Sequence, residues 1–376
     1  MSIVFTGDLF TGGLLAQYTY YDNLIHIDPF VNADLRVCNL EQATSDNFIE
    51  VEKCTLYSPE KGISFLIKNK VDIVIIANNH IQDKGKSGFK EGIRLLTKSN
   101  IKCVGAGINI KQAEKAIQLT NDLYIMAYCD NNKPYIRKVK IATAEEYGIN
   151  PFSYEKVIND LERIPDGKQA ILYLHWGKEN VWFPPKSNIK LAKELLKHPK
   201  VHSIIGSHSH RLQGRLKYNN KYCFFSLGNF LFPDFFIKPR TQIVYPNILP
   251  NKITTTKEYH PVINLTLKKW KYNNRVSLIL QLFGGSYQKE FVKQDKINFS
   301  IKLISGIERI FWQQWFYLLS FIYQIPTPFY DLFYYVFNSI DKFIKYSRIF
   351  MYFFIKNNFI KSINFLLIVK NSENKK

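Results

Sequence analysis

Residues 203–210 read Ser203-Ile204-Ile205-Gly206-Ser207-His208-Ser209-His210. The Ser203–Ile205 segment has the texture of a short buried strand, and Gly206-Ser207 marks a turn after it. Two histidines at i and i+2 beside small residues can both reach one centre from an extended or turned backbone. The same event, an apolar strand followed at once by a polar loop, repeats on either side. Ile3–Thr6 runs into Gly7-Asp8, Leu35–Asn39 into Asn39-Leu40-Glu41, and Val71–Ala77 into Asn78-Asn79-His80 with Asp83 and Gly85. Gln169–His175 runs into Trp176-Gly177, and Tyr222–Leu227 into Gly228-Asn229-Phe230. Ile101–Val104 and Leu123–Tyr128 complete the strand segments. Helical patterns such as Lys86–Lys98 and Ile189–Leu196 lie between them. This alternation indicates an α/β layered core, in which ligand chemistry gathers where loops at the carboxyl ends of strands converge.

Each loop residue has an ordinary reading when taken alone. Asp8 suits a helix N-cap, Glu41 a solvated loop, Asn79 and His80 a turn, and His175 a satisfied core histidine. Gly228-Asn229 suits a backbone turn whose amide orients a site residue, and Asp83 a helix start or a carboxylate behind the site. The combination changes the reading. Four of the eight histidines (His80, His175, His208, His210) fall at strand ends together with Asp8, Glu41 and Asn79. Imidazole, carboxylate and amide oxygen form the donor set of Mn²⁺, Fe²⁺ or Zn²⁺ rather than of an all-oxygen Ca²⁺ or Mg²⁺ site. Seven groups exceed one tetrahedral ion and suit two ions about 3.5–4 Å apart. Such a pair activates water against a phosphoryl group, and an uncoordinated histidine protonates the leaving alkoxide.

Composition sets the outer limits. The chain has 376 residues, 46% of them hydrophobic, 22% charged and 15% aromatic; this suits a globular protein with a sizeable core and argues against wholesale disorder. Fifty-one Lys+Arg against 31 Asp+Glu give a formal charge of +20, which favours contact with phosphate, anionic lipid, nucleic acid or an acidic polymer. The five cysteines (Cys38, Cys54, Cys103, Cys129, Cys223) include no CxxC pair and read as reduced, mostly buried thiols. The chain opens on a strand, Ser2-Ile3-Val4-Phe5-Thr6, so no secretory signal is expected.

Two further stretches follow the core of about 1–232. Residues of about 233–300 begin with Pro233, Pro239, Pro246 and Pro250. They continue with β-rich segments, Val262–Leu267 and Val276–Leu282, that read as hairpins extending the sheet. From residue 301 onward the chain is densely aromatic, through Phe311–Leu319, Phe329–Phe337 and Phe343–Phe354, with ten Lys+Arg against four Asp+Glu. Its apolar runs fall short of the ~20 residues of a spanning helix. Two readings stay open: amphipathic helices at a membrane surface, or helices that pack their aromatics on the core or on a partner. The domain reading is therefore 1–300, then a basic, aromatic-rich helical extension at 301–376.

The ordered motifs resemble the bacterial capsule-synthesis proteins of the CapA, or poly-γ-glutamate synthesis, family, within the calcineurin-like metallophosphoesterases. The resemblance covers about residues 2–232. It rests on Gly7-Asp8, Asn39-Leu40-Glu41, Ala77-Asn78-Asn79-His80 with Asp83 and Gly85, and Gly105-Ala106-Gly107. It continues through His175-Trp176-Gly177 with Glu179, Gly206-Ser207-His208-Ser209-His210, and Ser226-Leu227-Gly228-Asn229-Phe230. It implies a four-layer αββα sandwich with a loop-built site. By resemblance, Asp8 and His210 hold one divalent metal, Asn79, His175 and His208 hold the other, Glu41 bridges, and His80 is the general acid. The wider superfamily has Asp-x-His after the first strand, whereas this chain reads Asp8-Leu9-Phe10; the missing histidine leaves one weakly held ion or a single-ion site. Family members often carry an arginine after the Gly-Asp turn. Here Thr11-Gly12-Gly13 follows, so an anion-contacting cation comes from elsewhere, with Arg211 the candidate, or is absent.

Three functions follow as expectations. The first is metal-dependent hydrolysis of a phosphoester in the synthesis of a capsule or other anionic surface polymer, with a phosphorylated or polyanionic substrate. The second is a non-catalytic assembly or export factor for such a polymer, with a structural or polymer-binding metal site and a tail docked to a membrane synthase. Nucleic-acid processing ranks last, because no helix-turn-helix, RNA-binding motif or localised basic stripe is visible. The expected location is cytoplasmic, at the inner face of the membrane if the tail meets anionic lipid.

Overall fold

The computed structural model describes residues 1–17, 24–47, 55–130, 139–238, 242–249, 252–259, 264–326 and 328–337, with residues 242–249 and 252–259 described by backbone alone. Cys54, Pro239, Pro250, the first two residues of the Val262–Leu267 segment and the Phe343–Phe354 run lie outside these. The chain divides into two compact units, Met1–Gln324 and Ile325–Lys376.

The first unit is a mixed α/β structure built on two large sheets. In the eight-stranded sheet, Ile3–Leu9, Leu35–Leu40, Ile73–Ile75 and Lys102–Val104 run parallel in that order. Asn229–Leu231 adds to Ile3–Leu9 in parallel. The hairpin Val276–Phe283/Ser286–Gln294 joins Ile3–Leu9 antiparallel, and Ile301–Leu303 pairs with the hairpin's outer strand. The hairpin turn is Gly284-Gly285, with φ of +55° and +75°, the left-handed pair that a two-residue turn requires. In the six-stranded sheet, Leu123–Cys129, Gln169–His175, Val201–Ser207 and Lys221–Phe224 run parallel, with Ile117–Gln118 and Arg215–Tyr218 at the edges. Tyr173 Oη donates to the Thr6 carbonyl at 3.1 Å, a hydrogen bond from one sheet to the other.

All eight core strand segments expected from sequence are strands. Ala170–Leu174 and Ile73–Ile75 are completely or almost completely buried, as parallel strands covered on both faces must be. The Val71–Ala77 segment contributes only Ile73–Ile75 because the backbone turns beyond it, Asn78 N donating to the Ile76 carbonyl at 3.0 Å. Helix Gly85–Lys98 buries Phe89, Ile93 and Leu96, an i, i+4, i+7 stripe. Helix Lys186–Lys197 buries Ile189, Ala192, Leu195 and Leu196.

Residues 301–324, at the start of the aromatic stretch, lie inside this first unit. Helix Gly306–Ile322 buries Trp312, Phe316, Leu319 and Ile322. Ser320 Oγ accepts from Arg215 N at 2.9 Å, and Tyr323 Oη donates to the Trp182 carbonyl at 2.6 Å. The other side of the same helix is also apolar: Ile307, Ile310, Phe311, Leu318 and Phe321 are exposed. No helix of the described residues is long and apolar enough to cross a membrane.

Candidate metal centre

The carboxyl ends of the parallel strands of both sheets meet. Asp8 is the next-to-last residue of the first strand, Glu41 follows the second, and Asn79 and His80 follow the third. From the other sheet come His175, the last residue of its strand, and the Ser207–His210 loop. All six expected donors (Asp8, Glu41, Asn79, His175, His208, His210) are buried.

Two donor sets form. Ligand atoms of Glu41, His175 and His208 lie within 4.8 Å of one another, and so do those of Asp8, Glu41 and His210. Glu41, the residue expected to bridge, belongs to both. Its Oε1 is 3.8 Å from His175 Nε2 and 3.6 Å from His210 Nε2. Asn79 Oδ1 lies 2.8 Å from His175 Nε2, close to the roughly 3 Å between neighbouring ligands on an ion with ~2.1 Å bonds. Asp8 Oδ2 lies 3.3 Å from His210 Nδ1.

Backbone conformation lets one loop supply two imidazoles. His208 and His210 have φ of +85° and +53°, a region that costs a non-glycine residue about 1–3 kcal/mol and recurs at functional sites. The imidazoles of His175 and His208 lie 4.6 Å apart centre to centre. Gly7 is required by close approach: a Cβ there would lie 1.8 Å from the Gly228 carbonyl oxygen, where Asp8 N donates at 2.9 Å.

A second ring of residues fixes the donors. Asn39 Nδ2 donates to Asp8 Oδ1 at 2.8 Å. Ser207 Oγ lies 2.9 Å from His175 Nδ1, and Asn229 Oδ1 accepts from His210 Nδ1 at 2.9 Å. Asn274 Nδ2 donates to the His210 carbonyl at 2.8 Å. His80 Nδ1 pairs with Asp83 Oδ2 at 2.7 Å, and that oxygen also accepts from Leu56 N. Asp83 is therefore the carboxylate behind His80. Asn39, Asp83 and Asn229 sat inside recognised motifs. Asn274, far along the chain, carried no signal of its own.

The electrostatics suit a cation. Burial pushes the His208 imidazole down to about 4, leaving it neutral, and its Nδ1 is a buried atom without a hydrogen-bond partner among the described residues. Asp8 Oδ2 is likewise buried, with His210 Nδ1 3.3 Å away. Burial also opposes charge on His210, but Glu41 and Asp8 outweigh it and raise the group to about 10. The carboxylates are thus placed to hold positive charge where the imidazoles converge. Buried groups of this kind would be costly without a ligand, and the donor chemistry fits divalent metal.

Residues 2–234 match the family described as "Bacterial capsule synthesis protein PGA_cap". The chain belongs to this family. Among curated relatives it is 25% identical over 218 residues to the capsule biosynthesis protein CapA of Bacillus anthracis, covering 55% of this chain and 53% of that one. It is 24% identical over 275 residues to the PGA biosynthesis protein CapA of Bacillus subtilis (strain 168), covering 70% and 71%. The chain thus spans about half the length of the first relative. Among solved structures it is similar to TT1561 of Thermus thermophilus, with a TM-score of 0.36, 10% identity, and coverage of 68% of this chain and 97% of that one. The family match ends at residue 234, so Trp270 and Asn274, which touch His210, lie beyond it.

Arg211, the candidate anion contact, is buried, with its guanidinium 4.8 Å over the Trp182 ring. Phe10, two residues after Asp8, is given to packing: it is buried, 5.0 Å from Phe232 and 6.0 Å from Phe235 between ring centres.

Proposed function

We propose that this chain is a metal-dependent, phosphoesterase-like protein acting in the synthesis of a capsule or other anionic surface polymer. The observation that carries the reading is the pair of buried donor sets sharing Glu41. The names of the relatives, CapA, support the polymer context. We read the two sheets with their helices as a four-layer αββα sandwich, and the ions as two Mn²⁺, Fe²⁺ or Zn²⁺. Asp8, His210 and Glu41 would hold one, and Asn79, His175, His208 and Glu41 the other. When bound, such ions polarise a phosphoryl oxygen and lower the pKa of water.

The protein's own residues do the rest. Asp83 holds Nδ1 of His80 and so leaves Nε2 to carry the proton for the leaving alkoxide. Asn39 and Asn229 hold Asp8 and His210 in place, as outer residues of metal centres do. Turnover of an aryl phosphate with Mn²⁺, abolished by chelator, is the expected result. A chain that keeps its metal and turns over no phosphoester defeats the catalytic reading.

One observation favours a second reading. With Phe10 committed to packing, the set containing Asp8 has fewer donors. In that reading the protein assembles or exports polymer beside a membrane synthase, and its metal is structural or binds polymer carboxylates. Polymer production that survives the H80A substitution in cells supports it.

The exposed stripe of helix Gly306–Ile322 and the cationic, aromatic composition beyond it support peripheral binding to anionic lipid at the inner face of the membrane. Truncation at about residue 300 also removes buried packing. The sharper test is therefore vesicle co-sedimentation of the F311S/F321S chain, with unchanged binding counting against the idea.

A further inference from the structure

The Gly-Asp turn is followed by Thr11-Gly12-Gly13 and carries no arginine, and a lysine lies near His210 in the segment beyond the family match. Strand Thr266–Lys268 pairs antiparallel with Phe235–Ile237, placing Lys268 opposite Phe235. Just after it, Trp270 is anchored at both ends. Its backbone N donates to Asp234 Oδ1 at 2.8 Å, an oxygen that also accepts from Arg275 Nη2 at 2.7 Å. Its ring packs against His210, 5.1 Å between centres, and against Phe232 at 5.3 Å. Lys268 Nζ rests 5.2 Å from the centre of that same Trp270 ring, within cation–π range. The two spacings end to end put Nζ no farther than about 10 Å from the His210 ring.

We infer that Lys268, steadied on Trp270, is the substrate-binding cation of the centre and receives a phosphate or other oxyanion group held over the metal ligands. This rests on the metal-centre reading above. Three further features support it. Glu179 is influenced by His80, His208, His210 and Lys268 together, which places the ammonium in the same electrostatic neighbourhood as the site histidines. Asp8, Glu41, Glu179 and Asp83 would stand against two divalent ions and Lys268, so the pocket would be net positive once loaded. Trp270 Nε1 is a buried donor without a hydrogen-bond partner among the described residues, and a buried N–H of that kind is costly until an acceptor is supplied.

The test uses the full chain loaded with Mn²⁺ and inorganic phosphate as the probe, with metal content measured in parallel. The K268A substitution should weaken phosphate binding about tenfold or more at unchanged metal content, and K268R should restore most of it. K269A, at an exposed neighbour, should bind like wild type. Equal phosphate affinity in K268A and wild type, both with metal, overturns the Lys268 assignment and leaves the metal centre standing. An equal loss in K269A also overturns it, by showing diffuse surface charge. A wild-type chain that retains no metal overturns the parent reading and this one with it.

Discussion

Asp8 and Glu41 are completely buried, while Ile307 and Phe321 on helix Gly306–Ile322 are 85% and 65% exposed. The two regions depart from the usual distribution of residues in opposite directions. Burying carboxylates is costly unless a counter-charge accompanies them; the imidazoles and the shared Glu41 supply the geometry for one. Exposing an apolar stripe beside a stripe already buried brings no folding benefit. The donors of the first region suit a small cation, whereas the stripe of the second is left uncovered by the described residues.

The contrast can be broken most severely at the centre. The H208A/H210A double substitution should reduce metal retention by more than about 100-fold, beyond the 10–100-fold expected of outer residues. Metal analysis of purified protein matching wild type would end the assignment. At the helix, F316A on the buried stripe should cost about 3–5 kcal/mol in denaturant unfolding. F311A on the exposed stripe should stay within about 0.5 kcal/mol, and equal losses would show that the two stripes are not distinct. Returning to the centre, N229A frees the imidazole of His210 and should weaken metal binding about 10–100-fold without unfolding the chain, as metal titration followed by circular dichroism would show.

The smallest expected effect lies away from both regions. Burial works against the charge of Glu114, but hydrogen bonds from Lys156 at 2.8 Å and Arg163 at 2.6 Å outweigh it and hold its pKa below the usual 4.5. A carboxylate depressed in the folded state contributes stability above its unfolded pKa and loses it as the pH falls through the folded one. E114Q should therefore cost about 1 kcal/mol at pH 7. The difference from wild type should shrink below pH 4.5. A pH-independent difference would assign the loss to packing rather than charge.

The sequence made most of the centre readable, because its signals are local. A strand that ends in a polar loop announces itself within a few residues, and six such endings in order placed Asp8, Glu41, Asn79, His80, His175, His208 and His210 before any coordinates. Other parts were not readable. Asn274 donates to the backbone of His210 across 64 residues of chain, and nothing in its neighbourhood distinguishes it from a loop asparagine. Trp270 and Lys268 reach the site only because the strand Thr266–Lys268 folds back on Phe235–Ile237. In helix Gly306–Ile322 the aromatic residues look alike along the chain, although Trp312 and Phe316 are buried and Phe311 and Phe321 are not.

From the sequence alone came the alternation of strands and helices and the donor chemistry at the strand ends, since hydrophobic period and turn residues act over a few positions. Only the tertiary structure decided how closely Glu41 approaches His175 and His208 on one side and Asp8 and His210 on the other, that His208 and His210 take left-handed backbone angles, and which face of the last described helix of the first unit is covered. Those outcomes depend on how two sheets approach one another, and distances between residues far apart in the chain are set by packing, not by any local pattern.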